Sequence, residues 1–122
     1  MIRVGLARGP DHYRGLSAPW HPGFEPPELA GRLGKGSSPP VNGVFEAVRS
    51  ALLALGLDAT RAGDPQWNPL GSLVTPGQTI VLKPNFIRHW NPRSAIESDA
   101  SVESVITHGA IPRAVSLSSV HI

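Results

Sequence analysis

Apolar residues recur with helical spacing in one stretch of the chain and nowhere else as clearly. Across residues 43–56 (GVFEAVRSALLALG), Val44, Val48, Ala51, Leu52 and Leu55 fall at i, i+4, i+7, i+8 and i+11. Those offsets gather on one face of a 3.6-residue repeat, so the spacing predicts an amphipathic helix. Asn42 is a suitable N-cap, because its short side chain can accept from the first free amides. Gly56 stands where a left-handed C-terminal residue is wanted. Arg49 and Ser50 fall off the apolar stripe, which must bury itself on a sheet or another helix.

Two segments read as strands. Residues 79–83 (TIVLK) place Ile80, Val81 and Leu82 in succession, as expected of a parallel strand covered on both faces, and Pro84 ends it by lacking an N–H. Residues 2–7 (IRVGLA) alternate Val4 and Leu6 with smaller or polar neighbours. Strand, helix and strand in that order predict an α/β chain, an incomplete βαβ-type parallel sheet, normally right-handed. Such sheets gather their chemistry at the carboxyl ends of the strands, here Lys83 to Arg93.

The rest is dominated by turn formers. Between Gly9 and Pro40 lie seven prolines and six glycines, so 10–41 reads as a long Pro/Gly-rich loop or a disordered arm. Residues 57–77 form a connector that ends in a Pro76-Gly77 turn. Downstream, Asp99 is a possible cap for a helical turn with Val102, Val105 and Ile106, and Thr107 for another. Pro112 would interrupt that second helix unless the helix begins near it. The final VSLSSVHI alternates more like a strand than a helix.

Composition narrows the function classes. A chain of 122 residues suffices for one small domain. Eleven basic against nine acidic residues leave a net charge of +2, too little for a nucleic-acid footprint. The mixed segment Arg88-His89-Trp90-Asn91-Pro92-Arg93 could stack on bases but is short. With no cysteine, disulfides and cysteine-ligated metal centres are excluded and a cytoplasmic location is expected. The start has no leader pattern, and no stretch approaches the roughly 20 apolar residues of a membrane span.

Most motif candidates reduce to ordinary features. Gly31 to Ser38 resembles a phosphate loop, but Gly36 follows Lys35 where a hydroxyl residue is needed, so a flexible linker is the better reading. The five histidines lack a metal-ligand spacing, and Glu97, Asp99 and Glu103 read as a solvated acidic segment. The cofactor, if any, is unknown from these residues. The segment Val81 to Arg88 is different. Lys83 supplies a point charge, Asn85 both donates and accepts, and Arg88 can grip a carboxylate or phosphate. The plain alternative is that Asn85 satisfies turn amides and Lys83 reaches into solvent.

The run PGQTIVLKPNFIRHWNPR, followed by THGAIPRAV, resembles the N-terminal part of the domain-of-unknown-function 362 family. The residues that carry the resemblance are Lys83, Pro84 and Asn85, then Thr107, His108 and Gly109, then Arg113, Ala114 and Val115. Phe86, Trp90, Pro92 and Arg93 resemble the subgroup found near bacterial surface-polysaccharide genes. Family members are longer, so the resemblance implies a partial, N-terminal portion of one α/β domain. Its fold-level analogy is to the N-terminal region of nickel-pincer lactate racemases. Three functional expectations follow. The chain is a truncated family member inactive alone; or it is part of an enzyme acting on an anionic small molecule or surface-saccharide precursor; or it is an interaction module using the 10–41 arm. In the enzyme reading Lys83, Asn85, Arg88 and Thr107 bind the ligand and His108 is the acid/base candidate, since imidazole titrates near neutrality.

Overall fold

The computed structural model describes residues 2–10, 13, 15–33, 41–85 and 107–119. Two α-helices organise them: α1, Gly43–Ala54, and α2, Ala110–Leu117. Short 3-10 turns occupy Pro27–Leu29 and Ala59–Arg61. The expected β-sheet is absent: none of the described residues is in a strand. The α/β assignment is therefore corrected to a small helical arrangement wrapped by extended loop.

The physical reason lies in pairing. Residues 2–7 and 79–83 are uncoiled, but no described backbone hydrogen bond joins either to a neighbour. Their apolar side chains stay open to solvent, with Val4 at 73% and Val81 at 82% exposure. Residues 5–10 instead run along α1 in the opposite direction. Gly5 packs on the Ala51 carbonyl and Leu55, Gly9 on Ala47, and Pro10 on Gly43.

α1 begins and ends as its sequence dictates. Asn42 Oδ1 accepts from the Phe45 amide at 3.2 Å. At the other end Gly56 adopts φ +76°, its amide donates to Leu53 O at 2.8 Å, and the Leu57 amide donates to Leu52 O at 3.3 Å. That pair of bonds is a Schellman closure, which requires the left-handed residue glycine provides. The buried side of α1 is rotated from the expected stripe, with Val44 and Phe45 its most buried residues.

The core is Leu29, Phe45, Ala114 and Leu117, with Leu33 and Val48 packed against it. It joins the 3-10 turn, α1 and α2, so the Pro/Gly-rich loop contributes directly. In that loop His21, Pro22, Pro26, Glu28 and Leu29 are buried. Arg49, one helical turn from Phe45, is half-buried beside the buried Glu28: Nε donates to Glu28 Oε1 at 2.6 Å and Nη2 to Oε2 at 3.3 Å. Its guanidinium lies 4.7 Å from the centre of the Trp67 ring. Pairing is what lets two charges sit inside.

The tail corrects a second expectation. Residues 110–117 are helical, and the serines of VSLSSVHI finish the helix: Ser118 Oγ donates to Ala114 O at 3.0 Å and Ser119 Oγ to Val115 O at 3.1 Å. Pro112 fits because it falls in the first turn, where its missing N–H would have had no intrahelical partner. The phosphate-loop candidate from Gly34 onward, the acidic group Glu97, Asp99 and Glu103, and the expected helical turn at 102–106 lie outside the described residues.

Candidate functional site

Asn85 and Thr107, which lies just ahead of α2, meet at one point. Asn85 N–H donates to Thr107 Oγ1 at 2.9 Å, and Thr107 N–H donates back to Asn85 O at 2.8 Å. This reciprocal pair closes a gap of 22 residues and brings Asn85 against Thr107. The Thr107 hydroxyl accepts in that pair and keeps its own proton to donate elsewhere. Lys83 and Asn85 are exposed, while Thr107 and His108 are half-buried. Arg88 lies outside the described residues.

His108 has a defined local task. Its Nδ1 accepts from the Ala110 amide at 3.2 Å and its carbonyl from the Ile111 amide at 3.0 Å. Pro112 has no amide to satisfy, and the Arg113 amide reaches Gly109 O at 3.2 Å. His108 thus satisfies two of the amides that the start of α2 leaves without an intrahelical partner, those of Ala110 and Ile111. An accepting Nδ1 assigns the ring proton to Nε2. That tautomer suits an imidazole that orients the helix start better than one that takes a proton at Nδ1.

Two aromatic residues of the Pro/Gly-rich loop hold the ring in place. Tyr13 stacks on it, with centroids 4.2 Å apart and planes 8° from parallel. Trp20 meets it edge-on at 5.8 Å and 73°. Trp20 also crowds Gly109, where a Cβ would fall 2.6 Å from the indole. Neither Tyr13 nor Trp20 was a sequence candidate. Their only prior signal is that they are aromatic residues within a loop otherwise rich in glycine and proline.

No protein-family model, curated protein or solved structure matches this chain. Function therefore has to be read from the site itself. Among the described residues no group of three or more His, Asp or Glu side chains could hold a metal ion. No described helix is long and apolar enough to cross a membrane.

The junction is an exposed rim, and the hollows lie elsewhere. A largely apolar groove of about 330 Å³ runs between residues 5–10, α1 and Ile111. A polar hollow of about 330 Å³ is lined by Asp58, Arg61, Asn68, Gly71 and Ser72. There Asp58 accepts from Arg61 Nε at 2.8 Å and from the Asn68 amide at 2.7 Å, which ties down the connector. Those bonds hold the Asp58 carboxyl below its ordinary range, the Asn68 amide contributing most. With its carboxylate engaged on both oxygens, this hollow reads as a structural clasp. Among the described residues of 10–41, Leu29 joins the core and His21 and Glu28 are buried.

Proposed function

We propose that the chain binds an anionic small molecule, a carboxylate or phosphate such as a surface-saccharide precursor carries, at the Lys83–Asn85/Thr107–His108 rim, and contributes that rim to an enzyme. The observation behind this reading is the reciprocal Asn85–Thr107 hydrogen-bond pair. It joins Asn85 to Thr107, and Lys83 and His108 are close to them in sequence. Lys83 would supply the charge, while Asn85 and the Thr107 hydroxyl would supply directed hydrogen bonds. His108 would set the start of α2 and thereby the position of Thr107, and it is the side chain of the rim whose chemistry suits acid/base work.

Isothermal titration of the chain with inorganic phosphate, acetate and lactate tests the proposal. Saturable binding of at least one anion is expected, weakened about tenfold by Lys83→Ala, the loss of about 1.4 kcal/mol in binding. Thr107→Ser should retain binding and Thr107→Val should weaken it. Binding that is unchanged in Lys83→Ala would remove the reading.

A further inference from the structure

His21 and Arg113 form an unusual contact. The His21 ring is buried, with the residue only 5% exposed, and its Nε2 lies 3.1 Å from Arg113 Nη2. An arginine always donates, so the imidazole must accept, and it can do so only when neutral. Arg113 belongs to α2, and its Nε is buried without a hydrogen-bond partner. His21 belongs to the loop, fixed there by Asn42 Nδ2, which donates to the carbonyls of Trp20 and His21 at 3.0 Å each. Asn42 also caps α1. One buried histidine therefore sits where the loop, α1 and α2 come together.

The charges around it are one-sided. From α2 the facing group is Arg113, and from α1 it is the neutral Asn42. Glu46 on α1 has a buried carboxylate oxygen but makes no ion pair with either group, and Arg49 is engaged with Glu28. No carboxylate of the described residues is within ion-pair distance of His21 or Arg113. A proton on His21 would put two cations about 3 Å apart in a desolvated place and cancel the hydrogen bond that joins them. Burial, and secondarily the Arg113 charge, hold the imidazole below its ordinary value.

The neighbouring residue connects this contact to the rim. Trp20 touches the His108 ring and closes over Gly109, while His21 touches Arg113 one turn further along the same helix. We propose that protonation of His21 drives the loop away from α2, so that Trp20 leaves His108 and the rim loosens in acid. This is a pH-sensitive latch built from residues outside the proposed anion rim, and it stands whether or not that rim binds an anion.

Nuclear magnetic resonance of the unaltered full chain, titrated from pH 8 to pH 5, tests the latch. The imidazole resonance of His21 and the indole N–H resonance of Trp20 are followed together. Both should shift with one shared midpoint below the ordinary histidine value of about 6.5. The Trp20 shift should be lost in His21→Gln, whose side-chain oxygen can still accept from Arg113, and retained in His108→Gln. Arg113→Met should raise the midpoint toward 6.5. A His21 resonance that titrates while Trp20 stays still would overturn the proposal. So would a Trp20 transition that follows His108 or survives in His21→Gln. The titration of the unaltered chain decides the matter even where a variant does not fold.

Discussion

Replacing Arg49 with methionine isolates a part-buried ion pair of the described residues. Arg49 and Glu28 join α1 to the 3-10 turn, with side-chain exposures of 18% and 7%. Methionine keeps most of the aliphatic stem and its packing while deleting the guanidinium. Breaking a buried pair on one side costs about 3–5 kcal/mol, because the remaining charge loses its compensation. The pair reaches some solvent through Arg49, which favours the lower end. Loss of the guanidinium over Trp67 adds about 0.5–2 kcal/mol. A destabilisation of about 3.5–5 kcal/mol is expected, a large part of the roughly 5–15 kcal/mol typical of a domain. Urea unfolding followed by tryptophan fluorescence measures it, and m should stay constant if only stability has changed. The double variant Arg49→Met/Glu28→Leu should recover part of the loss, since an apolar pair of similar volume replaces a desolvated ion pair at little net cost. A loss under about 1 kcal/mol for Arg49→Met, or strict additivity in the cycle, would show that the pair is not a buried clamp.

Other expectations follow from single positions. Asn42→Ala removes the α1 cap and strands the Trp20 and His21 carbonyls, so about 2–4 kcal/mol should be lost in the same unfolding assay. Gly109→Ala drives a methyl group into the Trp20 indole, and overpacking should cost about 1–3 kcal/mol, with a changed near-ultraviolet circular dichroism spectrum. The lowered Asp58 carboxyl contributes stability that is present above its unfolded value and lost as pH falls through its folded value. Asp58→Asn should therefore flatten the acid limb of the stability–pH curve, and an unchanged limb would exclude Asp58 as a source of it.

Local signals were legible and long-range ones were not. α1, its Asn42 cap and its Gly56 terminus could be read because each depends on residues within a few positions. The Arg49–Glu28 contact could not, because Glu28 comes from a loop 21 residues away. Residues 2–7 and 79–83 have strand-like composition, but a strand exists only when another backbone completes its hydrogen bonds, and composition does not supply the partner. The alternation in VSLSSVHI misled because serine next to a helix end can bond the preceding turn and finish it. At the rim, Lys83, Asn85, Thr107 and His108 were named in advance, whereas the contact between Asn85 and Thr107 depends on the tertiary path. The supports from Tyr13 and Trp20, and the His21–Arg113 contact, depend on how the Pro/Gly-rich loop folds back, which no local pattern encodes.

The central claim is that an anion binds where Lys83–Asn85 meets Thr107–His108. The most direct measurement is the map of backbone amide shifts in the labelled chain as inorganic phosphate is added at fixed pH and ionic strength. The account predicts saturable shifts concentrated at Lys83, Asn85, Thr107 and His108, reduced in Lys83→Ala. Shifts that do not saturate, or that centre on Arg3, Arg8 or Arg61 while the rim stays silent, would contradict it.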